Sequence, residues 1–183
     1  EIFAIQKIFL EKIFKENLNK NSEFDYENYK QIIKKKVKQF SMLDNINIIK
    51  FYKTQENEEE KELEIILEFC SGGSIKQLLE KFDFFEEKLI KLYVKQILKG
   101  LVYLHERNII HMNLRNTNIL VDNTGIVKLS DFLIINTLRG NDDREKIINF
   151  NKTNEEGKCF IFYYFYFFKF FLNIFFFIRN SLL

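Results

Sequence analysis

His111-Met112-Asn113-Leu114-Arg115-Asn116-Thr117-Asn118-Ile119-Leu120, followed by Ser130-Asp131-Phe132-Leu133, is the stretch on which the reading of this chain turns. Between the two pieces, Asn123-Thr124-Gly125 is a turn signal, so 121–130 reads as a hairpin of two short strands. Ahead of them, 85–107 reads as one long helix with Leu89, Leu92, Tyr93, Ile97, Leu101 and Leu104 on one face. A helix, a polar loop, a hairpin and an Asp-Phe pair therefore follow one another.

Working back from there, Ser74 is placed to cap a helix over 75–81 through its hydroxyl. The apolar-rich runs 48–52 and 63–69 predict strands, and the acidic run 56–62 between them predicts a solvated turn. Over 24–43, Tyr29, Ile32, Ile33, Val37, Phe40 and Leu43 recur at three- and four-residue steps, which predicts an amphipathic helix. The segment 17–22 is polar and loop-like, and 2–9 is a short apolar strand candidate. No internal repeat is visible.

These pieces resemble parts of a protein kinase domain in the order and spacing that family shows. The stretch at 111–118 is similar to the catalytic loop H-R-D-L-x-x-x-N, and Asp131-Phe132 to the D-F-G turn. Leu67-Glu68-Phe69-Cys70-Ser71-Gly72-Gly73-Ser74 resembles the hinge and the helix start after it. Gly100-Leu101-Val102-Tyr103-Leu104-His105 resembles the end of the helix before the catalytic loop, and 121–130 the hairpin leading to Asp-Phe. The resemblance covers roughly 1–135 and is to the serine/threonine branch, similar to the mitogen-activated protein kinase kinase kinases. It implies a partial two-lobed α+β fold: a small lobe from its third strand to the hinge over about 1–70, and part of a large lobe over about 71–138. A glycine-rich strand pair is expected ahead of it, and an activation segment with more helices after it; the chain reads as starting and ending inside a domain.

The resemblance also implies a chemistry, and several of its groups are exchanged. In the family's A-x-K pattern, Ala4-Ile5 is followed by Gln6, a neutral amide in place of the phosphate-binding lysine. Lys7 is adjacent, but on a strand its side chain points to the other face. Asn45-Ile46-Asn47-Ile48-Ile49 resembles H-P-N-I-V, and counting back from it puts the helix glutamate at Lys36; a one-residue slip would rescue Lys7 but not the glutamate. Asn113 stands where the catalytic carboxylate should be, and losing a positioned base costs about 10²–10⁴-fold in rate. Met112 replaces the cation that docks a phosphorylated activation loop, and Leu133 replaces the last glycine of D-F-G. Arg115 keeps a positive charge near the transferring phosphate, while Asn118 and Asp131 are the two metal-ligand types the family needs. ATP and Mg²⁺ are thus the implied cofactors. Ala4 and Leu120 would sandwich the adenine ring, Leu67 stands at the gatekeeper position, and the backbone of Glu68 to Cys70 would meet the adenine edge. His111 reads as a packing residue against Phe132, and His105 as a helix-end residue.

Composition adds exclusions. A net charge of +2 gives no bulk electrostatic case for a nucleic-acid partner. Cys70 and Cys159 form no C-x-x-C pair, so neither a disulfide framework nor a zinc site is expected, which suits a reducing, cytoplasmic compartment. There is no N-terminal signal pattern. Proline is absent and Ala4 is the only alanine; together with the excess of Phe, Ile, Lys, Asn and Glu this suggests strongly AT-rich coding. Residues 139–158 read as a charged polar linker. Residues 159–178 are almost wholly apolar and aromatic, long enough for a bilayer-spanning helix. Fourteen Phe, Ile or Leu residues there, at about −0.3 to −0.6 kcal/mol each, outweigh Lys169 at about +3. The other reading of this tail is translated intron or a frame error.

Three functional readings follow. One is a catalytically impaired kinase-like scaffold or fragment that keeps weak Mg-ATP binding, which the residue exchanges favour. The second is an active serine/threonine kinase acting on proteins of a signalling cascade. The third is a membrane-anchored interaction protein held by 159–178.

Overall fold

The computed structural model describes residues 2–9, 26–57, 62–107 and 109–132, with only the backbone of 26–29. The expectations for 17–22, for the first residues of the helix at 24–43, for Leu133, for Cys159, for the linker 139–158 and for the apolar segment 159–178 lie outside these residues. Among the described residues no helix is long and apolar enough to cross a membrane.

Strand β1 (Phe3–Ile8) is followed by α1 (Tyr26–Phe40), β2 (Phe51–Asn57) and β3 (Glu62–Glu68). The three strands make an antiparallel sheet in the order β1-β3-β2, in which Gln6 stands opposite Ile65 and Lys7 opposite Glu64. Strand alternation decides which side chains face inward. In β1, Ala4, Gln6 and Ile8 turn toward the core, while Phe3, Ile5 and Lys7 face outward, and Phe3 meets Tyr52 of β2 edge-to-face at 5.3 Å. Helix α1 covers the inner face through Ile33, Val37 and Phe40, its neighbour Ile32 remaining exposed.

After the link at 69–72 come β4 (Gly73–Ser74), α2 (Ile75–Phe82), α3 (Glu87–His105), β5 (Ile119–Val121) and β6 (Val127–Leu129). Strands β4, β5 and β6 form a second antiparallel sheet. Ser74 caps α2 as expected: the Gln77 N–H donates to its Oγ at 3.2 Å, and the Gln77 side-chain oxygen receives the Ser74 N–H at 2.8 Å. Helix α3 buries Ile97, Gly100, Leu101 and Leu104. Leu92, expected on that packed face, is exposed: the buried positions of α3 begin only at Ile97.

Two further expectations are corrected. The run 48–52 is not one strand: Ile48 and Ile49 are buried beside β6, bridging to Leu129, and β2 begins only at Phe51. These two isoleucines are apolar because they join the two sheets, which periodicity within one strand cannot distinguish. The acidic run 56–62 is not a solvated turn throughout. Glu56 lies one residue before the end of β2 and receives Lys30 and Lys34 from α1, and Glu62 starts β3 with only 6% of its surface exposed. Lys7 of the neighbouring strand pairs with Glu62 at 2.9 Å, which offsets the cost of burying that carboxylate.

The core is continuous from the first sheet to the second. Phe132 is fully buried, its ring 5.2 Å from Phe40, 5.5 Å from Phe51 and 5.5 Å from His111. Asn47, also buried, donates from its amide to the Val127 carbonyl at 2.9 Å and to Gln96 at 3.2 Å. These contacts fix β6, and with it the Asp131-Phe132 turn, relative to the chain that leads into β2.

Candidate functional site

The loop between α3 and β5 reverses sharply at Met112, whose φ of 55° lies in the left-handed region. The Asn113 N–H donates to the His111 carbonyl at 2.7 Å across this turn, and is also 3.3 Å from His111 Nδ1. Asp131 is a second non-glycine residue in the left-handed region, at φ 60°. Such conformations cost of order 1–3 kcal/mol and persist only where surroundings enforce them. Here the enforcing groups are hydrogen bonds: Ser130 donates to the Asn118 carbonyl through both its N–H (2.9 Å) and its Oγ (3.0 Å). Asn118 in turn donates its side-chain amide to the Asn113 carbonyl at 2.8 Å, while its Oδ1 accepts from Thr117 at 3.0 Å.

The result brings Gln6, Asn113, Asn118 and Asp131 together. Asp131 Oδ2 accepts from the Asn113 amide at 2.7 Å, and Oδ1 accepts from the Gln6 amide at 3.2 Å. Burial raises the Asp131 carboxyl above its usual range, opposed by the Gln6 bond, the charge of Arg115 and the Asn113 bond. Arg115 itself is exposed and acts on Asp131 only through its field. His111 has no exposed surface, and burial pushes its imidazole down to about 4.

The other candidate residues lie around this centre. Ala4 is half-buried opposite Leu67 in the β1–β3 register, on the same face as Gln6. Leu67 and Leu120 pack against the core from β3 and β5. Cys70 is buried, its thiol pushed up to about 11 chiefly by burial, with the Glu68 charge adding. Lys7 lies on the outer face with Glu62 and Glu64, at 2.9 and 4.0 Å, so the site receives Gln6 and not Lys7. Lys36 stays on α1, half-buried.

Sequence reasoning read Glu68 only for its backbone. Its carboxylate pairs with Lys128 of β6 at 3.0 Å and accepts the Lys50 N–H at 3.2 Å, tying the end of β3 to both neighbouring segments. A lysine inside a three-residue apolar strand was the available signal. The amide bonds onto Asp131 had no signal, because residues so far apart in sequence meet only in the fold.

Among the described residues no three or more His, Cys, Asp or Glu side chains cluster to hold a metal ion. The donor set here is instead one carboxylate with amide oxygens. Asp131 keeps two of its four lone-pair positions free of the two amide bonds. Asn113 Oδ1 is buried with no hydrogen-bond partner. Hard cations such as Mg²⁺ take oxygen ligands and rarely need an all-protein cage, so these residues fit one.

Residues 2–153 match the protein kinase domain family. The chain is 39% identical over 132 residues to mitogen-activated protein kinase kinase kinase A of Dictyostelium discoideum, covering 72% of this chain and 13% of that protein. It is 44% identical over 102 residues to mitogen-activated protein kinase kinase kinase 2 of Arabidopsis thaliana, 56% of this chain and 15% of the relative. With cell division control protein 7 of Schizosaccharomyces pombe it shares 31% identity over 150 residues, 80% of this chain and 12% of the relative. The chain therefore spans about one eighth to one seventh of the length of these relatives. It belongs to the protein kinase family, with similarity to the mitogen-activated protein kinase kinase kinases.

Proposed function

We propose that this chain is a catalytically impaired protein-kinase-like domain of the serine/threonine type, which binds Mg-ATP weakly and works through protein partners of a signalling cascade. The observation that carries the reading is the side chain at 113. Asn113 is a buried amide whose nitrogen donates to Asp131 at 2.7 Å. An amide has no proton-accepting site near neutral pH with which to take the proton of an incoming hydroxyl.

Gln6 supports the same reading, since it brings no charge to the phosphates. In this reading Ala4 and Leu120 flank the base, Leu67 closes the rear of the pocket, and the backbone of Glu68 to Cys70 meets the base edge. Asp131 and Asn118 hold the cation, and Arg115 supplies the nearest mobile positive charge. A bound Mg²⁺ would neutralise phosphate charge. The 159–178 segment, if inserted, would tether the domain at a bilayer.

The test is phosphoryl transfer from labelled ATP to a generic protein substrate by the full chain, beside the double variant Gln6→Lys/Asn113→Asp. The original chain should transfer more slowly by about 10²-fold or more. Equal and readily measurable rates would sink the impaired reading. They would favour an active kinase instead, which the juxtaposition of Asn118 and Asp131 through the Ser130 and Asn113 hydrogen bonds also supports.

A further inference from the structure

Asp131 is held from two directions by neutral donors. Gln6 reaches it from β1 of the first sheet and Asn113 from the loop before the second, one amide on each carboxylate oxygen. Among the described residues no Lys or Arg forms an ion pair with it, so amide dipoles and the more distant Arg115 carry the balance of charge.

The orientation of Asn113 shows which bond the site keeps. Its nitrogen bonds the Asp131 carboxylate at 2.7 Å and approaches the Asp131 carbonyl at 3.4 Å, while its oxygen is buried without a partner. The reverse orientation would set that oxygen against the Asp131 carboxylate, lone pair to lone pair. A carboxylate at 113 would do the same with full charge, and two such groups can both stay ionised only when a cation lies between them.

We propose that Gln6 and Asn113 form a cation-free clamp on Asp131. The two amide donors hold the carboxylate where a divalent ion would otherwise sit, and a metal has to compete with them for it. The device rests on the reading of Asp131 and Asn118 as the cation-holding pair. It has two states. In one, the Asn113 nitrogen faces Asp131 and no metal is needed to bring the two sheets together. In the other, the amide turns over, and its now unpartnered oxygen joins Asp131 on the ion. The turn exchanges two groups of nearly equal size and so needs no repacking around residue 113. Because Gln6 lies on β1 and Asp131 follows β6, the first state couples the two sheets directly.

The experiment is a circular-dichroism melt of the full chain, held in mild detergent, in EDTA and in millimolar MgCl₂ without nucleotide. The midpoint of the original chain should not move with Mg²⁺. Asn113→Asp should melt lower in EDTA and rise with Mg²⁺ by about 2–4 °C or more. Gln6→Leu, which frees one Asp131 oxygen and adds no charge, should gain a smaller rise of the same sign. If Asn113→Asp folds only with Mg²⁺, the clamp is supported; if it folds in neither buffer, Gln6→Leu alone decides. An original chain that responds to Mg²⁺ as strongly as the variants, or folded variants that do not respond, would overturn the clamp. Nucleotide binding is measured separately. Its absence, with the Mg²⁺ responses intact, removes the nucleotide reading of the cleft and leaves the clamp standing.

Discussion

His111 titrates in a way that can be read in solution. Burial holds its imidazole near 4 in the folded chain, against 6.5 for the ordinary group. The unfolded chain therefore takes up a proton first as pH falls, and folding stability declines between about 6.5 and about 4, by about 3 kcal/mol at most. Asp131 acts in the opposite sense. Its raised carboxyl leaves the folded chain holding the extra proton just above the usual carboxylate range, so acidification through that window favours folding. The His111 contribution is then the difference in pH slope between urea melts of the original chain and of His111→Gln, and equal slopes would refute it. At this scale much was legible in advance. The amide at 113 follows from residue type and the inward turn of Gln6 from strand alternation, while the pairing of His111 with Phe132 follows from the resemblance to the kinase family. What the residues do to one another was not legible, because a hydrogen bond between Gln6 and Asp131 depends on how two sheets meet.

Helix α3 reaches its sheet through a glycine. A Cβ on Gly100 would lie 2.9 Å from both the Asn47 carbonyl and a Leu129 methyl, with backbone on one side and a buried side chain on the other. Ordinarily Gly→Ala within a helix stabilises by about 1 kcal/mol. Overpacking a core contact costs about 1–3 kcal/mol. The second effect wins here, because Asn47 is itself pinned to Val127 and Gln96. Gly100→Ala should therefore lower stability in a denaturant titration, by up to about 2 kcal/mol, and a gain would show that α3 can slide. Elements with strong periodicity, such as α1 and α3, and those with turn or cap chemistry, such as the 121–130 hairpin and α2, were readable to within a few residues. The β2 boundary and the acidic run were not. Ile48 and Ile49 serve an interface between sheets, and Glu62 is buried only because Lys7 comes to it from another strand.

Among the described residues, Phe132 is one of the side chains that unite the two sheets, touching α1, β2 and the loop at His111 together. Phe132→Ala should cost about 3–5 kcal/mol. The loss should also loosen the Gln6–Asp131 contact next to it. Hydrogen exchange of β1 and of the 111–118 loop would then rise together, whereas a rise confined to one of them would show that the sheets are coupled elsewhere. The order of elements and the family were legible in the sequence; the joint made by Phe40, Phe51, His111 and Phe132 was legible only for its last two members. The outward turn of Lys7 reaches beyond the fold. Its amine belongs to Glu62 and Glu64 on the outer face, and the side chain that does enter the site, Gln6, carries no nucleophile. Chemical surveys that find kinases by acylating the lysine beside a bound nucleotide would pass this chain over, and its silence in such a survey would record the face of a strand, not the absence of the protein.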